Sequence, residues 1–150
     1  MTLTLPLSDE AATKALAARL APLLRAGDVV TLRGDLGAGK TALARFLIRY
    51  LAGDEAEEVP SPTFTLVQIY EHLSPPVWHF DLYRLTDPGE VVELGWEEAR
   101  DACALVEWPE RLGPLLPRDR LEVQLTLDGP TARRAVITGH GSWADRVAGI

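Results

Sequence analysis

Lys40 and Thr41 close the stretch Gly34-Asp35-Leu36-Gly37-Ala38-Gly39-Lys40-Thr41, which has the spacing G-x-x-x-x-G-K-T of a phosphate-holding loop. Its glycines let the backbone curl so that successive N–H groups face inward, toward phosphate oxygens. A helix that opens at the loop adds the positive end of its dipole to the same place. In such a cradle Asp35, Leu36, Gly37, Ala38 and Gly39 supply the backbone. Lys40 would reach the β- and γ-phosphates of a nucleoside triphosphate, and the Thr41 hydroxyl would serve Mg²⁺.

The loop needs a buried strand before it and a helix after it. Asp28-Val29-Val30-Thr31-Leu32-Arg33 is apolar and β-branched and runs into Gly34. Beyond the loop, Leu43, Phe46, Leu47, Tyr50 and Leu51 recur at i, i+3, i+4, i+7 and i+8, a helical stripe that extends to about Ala52. Strand, loop and helix therefore stand in the required order.

Holding phosphates is half of a hydrolytic site; the other half is an acidic residue for the metal and a group that orients water. Glu107 follows the continuous apolar run Cys103-Ala104-Leu105-Val106, which reads as a buried central strand ending in a carboxylate. Asp81 sits in His79-Phe80-Asp81-Leu82-Tyr83. There Trp78, Phe80 and Leu82 share one strand face and His79, Asp81 and Tyr83 the other. The buried-strand context favours Glu107 as metal ligand and leaves Asp81 to orient water or to support the metal ligands from behind; both remain candidates for the metal. Ser61-Pro62-Thr63 reads as a switch segment, with prolines fixing an extended backbone and two hydroxyls available to Mg²⁺ or the γ-phosphate. Trp108, next to Glu107, is a candidate neighbour of the nucleotide. No N-K-x-D base-reading motif occurs, so the expected base is adenine.

The remaining elements follow from local pattern. Ser8 is expected to cap a helix carrying Leu16, Leu20, Leu23 and Leu24, and Thr63 to Tyr70 and Val77 to Leu85 are expected strands. Short helices are expected from Pro88 to Leu94, from Trp96 to Ala102 and from Ser142 to Val147, with a turn or short helix from Pro109 to Leu116. Leu121, Val123, Leu125 and Leu127 alternate with polar residues, and Ala135 to Thr138 is placed to pair with them across Asp128-Gly129-Pro130. The fold class is α/β: a three-layer domain with a mainly parallel sheet and antiparallel additions.

A chain of 150 residues fits one domain with a substantial core. Its net charge of −7 argues against an unaided grip on nucleic acid, which needs a basic surface. No run is long and apolar enough to span a membrane, and the first eight residues lack the layout of an export signal. The single Cys103 cannot form an internal disulfide, and its apolar setting marks an inert core thiol; a cytoplasmic location is the default. The acidic run from Asp54 to Glu58 reads as a solvated loop rather than a metal site.

Taken in order, "GDLGAGKT", "SPTFTLV", "HFDLYRL" and "LVEWPER" resemble the bacterial TsaE family over nearly the whole chain. That resemblance implies a P-loop ATPase that supports the threonylcarbamoyladenosine (t6A) modification of tRNA together with two partner proteins, TsaD and TsaB, and that meets tRNA only through them. It implies Thr41 and Glu107 as Mg²⁺ ligands, Asp35 to Thr41 as the phosphate cradle and Asp81 as a residue needed for hydrolysis. Ser61 and Thr63 would form the switch, Trp108 would lie close to the nucleotide, and Ser8 to Ala12 would contribute to the adenine pocket.

Two other readings stand beside it. A small P-loop metabolite kinase would need an acceptor pocket and an arginine-bearing lid, and the segment after Trp108 is instead a turn and a hairpin. A nucleotide-gated binding module would use ATP only to order the Ser61–Thr65 segment. Neither Arg84 nor Arg111 is clearly placed as an arginine finger, so turnover is expected to be slow without partners.

Overall fold

The computed structural model describes residues 2–150. Strands β1 (Thr2–Leu7), β2 (Val29–Arg33), β3 (Val67–Tyr70), β4 (Val77–Asp81), β5 (Cys103–Glu107), β6 (Arg120–Leu127) and β7 (Arg133–His140) form one sheet. Its order is β1-β7-β6-β2-β5-β4-β3. The four central strands, β6-β2-β5-β4, run parallel. The edges are antiparallel: β7 folds back on β6, β1 on β7, and β3 on β4. The expected three-layer α/β architecture is therefore present, with its parallel part at the centre.

Helices α1 (Glu10–Leu20) and α2 (Lys40–Ala52) cover one face. Leu43, Ala44, Leu47 and Ile48 of α2 are fully buried against Leu16, Leu20, Leu32, Leu105 and Val123. Each such leucine adds about 1.5–3 kcal/mol by leaving water, and Leu43→Ala should cost about 2–5 kcal/mol through the cavity it opens. The short helices α3 (Glu90–Glu93) and α4 (Trp96–Ala99) cover the opposite face with a 3₁₀ turn over Pro109–Leu115. Val91, Trp96 and Leu112 pack there on Phe80, Ala104 and Val106. With both faces covered, β5 is buried at every residue, which is why Cys103 to Val106 reads as an unbroken apolar run. The last helix, α5 (Trp143–Arg146), returns to the α1 face through the buried Trp143.

The α2 boundaries match the sequence reading because both are set by glycine. Gly39 enters the helix at φ 104° and Gly53 leaves it at φ 66°, its N–H returning to the carbonyls of Arg49 and Tyr50.

Three local expectations are corrected, and one strand is added. The cap of α1 is Asp9, whose side chain accepts from Ala12 N at 2.9 Å, so the helix starts one residue later than a Ser8 cap implies. Thr2–Leu7 forms the additional strand; it exists through its non-local pairing with β7. The extended run from Thr63 shrinks to Val67–Tyr70, because Leu66 N donates back to Pro62 O at 2.7 Å and Leu66 takes a left-handed φ of 69°. The strand from Val77 stops at Asp81 rather than Leu85. There the Asp81 carboxylate captures Tyr83 N at 3.1 Å, an aspartate turn that bends the chain away. The acidic run after Gly53 is a surface loop, with Glu55 paired to Lys14 at 2.7 Å. Among the described residues no helix is long and apolar enough to cross a membrane.

Candidate active site

The carboxyl ends of β2, β5 and β4 lie side by side, and the candidate residues leave from these ends. This edge is where open α/β sheets place ligands. Gly34 follows β2 at a point where a side chain is excluded: a Cβ there would stand 2.5 Å from the Leu125 carbonyl of β6. The loop then rises to Gly39, which caps α2 without a side chain. The first-turn N–H groups of α2 are left facing outward, an arrangement suited to anionic oxygens.

Lys40 is almost fully buried. Its ammonium donates to Gly34 O and, at 3.1 Å, to Asp35 O, and it lies 3.9 Å from the centroid of the Trp108 ring. Burial pushes the Lys40 amine below its usual range, opposed by the nearby carboxylates, Glu107 first among them. Trp108 holds a left-handed backbone (φ 58°, ψ 53°), which turns its ring back over the loop and against Tyr83, 4.8 Å away between centroids.

Thr41 Oγ1 donates to Glu107 Oε1 at 2.7 Å. Since the hydroxyl proton goes to the carboxylate, the oxygen lone pairs of Thr41 remain free for a cation. Glu107 is buried, and its second oxygen lies 2.7 Å from His79 Nε2. Asp81 is the register partner of Glu107 across β4 and β5. Its carboxyl is pushed above the usual range mainly by burial, with repulsion from Glu107 adding to it and the Tyr83 N–H opposing.

The Ser61–Leu66 segment is docked on the same aspartate. Thr63 Oγ1 lies 3.5 Å from Asp81 Oδ2, Ser61 Oγ lies 2.7 Å from Thr63 Oγ1, and Asp81 N donates to Leu66 O at 3.0 Å. One cleft of about 280 Å³ is thus lined by Leu36 to Ala42, Thr63, Asp81, Tyr83, Glu107 and Trp108. Lys40, Thr41, Asp81 and Glu107 meet there, while Ser61 stands behind Thr63 and Asp35 contributes its carbonyl to Lys40.

A second cleft, about 430 Å³, lies on the other side of the loop, lined by Asp9, Glu10, Thr13, Ala38, Gly39, Ala42, Leu125, Pro130, Thr131 and Arg133. Of the Ser8–Ala12 stretch, only Asp9 and Glu10 line it. Arg133, unremarked in the sequence, donates to Gly37 O at 3.3 Å. No local signal marks it; the parallel β2–β6 pairing and the β6–β7 hairpin carry it to the loop. Arg84 instead lies over the exposed Phe64 ring, and neither it nor Arg111 lines the first cleft. His79, on the same strand face as Asp81, is fully buried beneath the cleft and touches Glu107. Among the described residues no three His, Cys, Asp or Glu side chains form a metal cage. A hard cation held partly by phosphate oxygens does not need one.

Comparison with known proteins places the chain in a family and supports its fold. A family profile described as "Threonylcarbamoyl adenosine biosynthesis protein TsaE" matches residues 7–136. The tRNA threonylcarbamoyladenosine biosynthesis protein TsaE of Rickettsia conorii is 43% identical over 136 residues, spanning 89% of this chain and 77% of that one. The protein of the same name from Bacillus subtilis is 37% identical over 133 residues, spanning 87% and 81%. The crystal structure of Bacillus subtilis YdiB superposes with a TM-score of 0.80 at 28% identity, covering 99% of this chain and 92% of that one. On its sequence, its sheet and its loop, this chain belongs to the TsaE family of tRNA threonylcarbamoyladenosine biosynthesis proteins.

Proposed function

We propose that the chain binds ATP with Mg²⁺ and hydrolyses it, slowly alone and faster with TsaD and TsaB, in support of t6A formation on tRNA. The observation that carries this reading is the meeting of Lys40, Thr41, Asp81 and Glu107 in one cleft at the carboxyl edge of the sheet.

The residues divide the work by their chemistry. The loop backbone and the α2 N-terminus would hold the phosphates of ATP. Lys40, now bonded to Gly34 O and Asp35 O, would exchange these carbonyls for β- and γ-phosphate oxygens, a charge-assisted and stronger pairing. Thr41 and Glu107 would hold Mg²⁺, which supplies charge neutralisation across the β- and γ-phosphates when bound. Asp81, oriented by Tyr83 N and facing Thr63, would fix the attacking water; burial raises its proton affinity, which suits that task. Thr63 and Ser61 would report the γ-phosphate to the Pro60–Leu66 segment. The second cleft, with Asp9 and Glu10, would take the adenosine end, and Trp108 would flank the phosphates.

Slow unaided turnover follows from the arginines. Arg133 is spent on the carbonyls of Gly37 and Ala132, Arg84 lies over Phe64, and among the described residues no arginine lines the first cleft. The net charge of −7 makes contact with tRNA a task for the partners. The kinase alternative lacks a lid, since residues after Trp108 enter a 3₁₀ turn and then the sheet. The binding-module alternative is separated by Asp81→Asn, which should retain ATP binding and lose function if hydrolysis matters. A multiple-turnover ATPase assay with and without TsaD and TsaB tests the proposal; fast turnover indifferent to both partners would oppose it.

A further inference from the structure

His79 is a fully buried imidazole to which the scheme above gives no task. Its Nε2 lies 2.7 Å from Glu107 Oε2, and its Nδ1 has no hydrogen-bond partner. A buried ring with an unpaired nitrogen is costly where only volume is needed; leucine or phenylalanine would fill the same place without that loss. Among the described residues Glu107 is the sole hydrogen-bond partner of this side chain, so the reason for a histidine is to be sought there.

The sheet register supplies the geometry. His79 pairs with Leu105 and Asp81 with Glu107 in the parallel β4–β5 ladder, so the side chains at 79, 81, 105 and 107 project to the α2 face. A glutamate has three rotatable side-chain bonds. Held only through Oε1 by Thr41, it would retain much of that freedom. Anchored at Oε2 as well, it presents Oε1 to Thr41 in one orientation. The Thr41 proton is then committed to Glu107, and the Thr41 lone pairs face the cleft.

We infer that His79 is a positioning residue for Glu107: its Nε2–H grips Oε2 and thereby fixes the Thr41–Glu107 pair in the cation-receiving arrangement. The inference rests on the reading of that pair as the Mg²⁺ end of the site. Partners of this kind, behind a metal ligand, typically change metal affinity about 10–100-fold when removed.

The test is calorimetric titration of the full chain with ADP, in saturating Mg²⁺ and in EDTA, for wild type, His79→Leu, His79→Phe and His79→Gln. The ratio of the two affinities isolates the metal contribution. His79→Leu and the bulkier His79→Phe, which keeps the volume filled should the leucine variant fold poorly, are expected to reduce that ratio about tenfold. Their affinities in EDTA should stay within about twofold of wild type. His79→Gln, which retains a donor nitrogen at similar reach, should recover most of the ratio. In a Glu107→Ala background His79→Phe should have no further effect, since its influence passes through that carboxylate.

An unchanged ratio in His79→Phe would overturn the inference, as would an equal loss in Mg²⁺ and in EDTA, which marks a purely structural role. A wild-type protein whose ADP affinity ignores Mg²⁺ would instead remove the reading of the site itself, and the inference with it.

Discussion

Asp81 stands directly across the parallel β4–β5 pairing from Glu107, so two carboxylates share the carboxyl edge of the sheet in a largely buried setting. The fold holds Asp81 there at a cost: burial first, and the Glu107 charge next among the opposing influences, raise its pKa. A raised folded-state value means that the folded protein binds the proton more tightly than the unfolded chain. Stability therefore falls as pH rises from the unfolded value of 3.8 through the raised folded-state value, above which the full penalty applies.

Asp81→Asn should accordingly melt at or above the wild-type temperature at pH 7 without nucleotide, and the gap should close as pH falls toward 3.8, where the wild-type carboxyl is protonated. The same variant should keep ATP affinity within a few-fold and lose about 10²–10⁴ in turnover. Differential scanning calorimetry across pH and single-turnover hydrolysis check the two halves separately.

Lys40 obeys the opposite sign. Burial lowers its pKa, so keeping the ammonium charged in the folded state opposes stability below that value, and stability rises as pH climbs through it toward 10.5. Lys40→Met should leave the melting temperature at neutral pH unchanged or higher. Nucleotide affinity should fall at least about 30-fold, the equivalent of roughly 2 kcal/mol for a lost charge-assisted contact. Calorimetric titration with ADP reads this directly.

Much of this site could be read from sequence because its parts are local. The loop, its flanking strand and helix, and the Glu107 strand end are each set by a few adjacent residues. What escaped was set by distant ones. β1 is held by pairing with β7, more than a hundred residues away, and Arg133 reaches the loop only through the hairpin. His79 alternates with apolar neighbours as a half-exposed strand would, yet the α2 layer covers it. The strand from Val77 ended early because a side chain, Asp81, competed for the backbone.

A structural clamp lies far from the cleft. Arg146 of α5 holds Asp28 through both carboxylate oxygens at 2.7 and 2.8 Å and donates to Leu23 O at 2.6 Å. Arg146→Met leaves Asp28 without its cation at the start of β2. It should cost about 2–3 kcal/mol, with ATP turnover at permissive temperature unchanged. Urea unfolding monitored by tryptophan emission measures the loss.

Cys103 should be inert in the native state. It is fully buried, and burial pushes its thiol up to about 12, so little thiolate exists at neutral pH. A thiol-reactive chromophore should label it only at the rate of unfolding, and at once in denaturant.

The most direct test of the proposed role is reconstituted t6A synthesis on tRNA with TsaD and TsaB under multiple-turnover conditions, with this chain added as wild type, Lys40→Met, Asp81→Asn or Glu107→Gln. Wild type should sustain repeated rounds of modification. Each variant should fall to the level seen without the chain. Modification sustained at the wild-type rate by all three variants would contradict an account in which hydrolysis at this cleft supports the reaction.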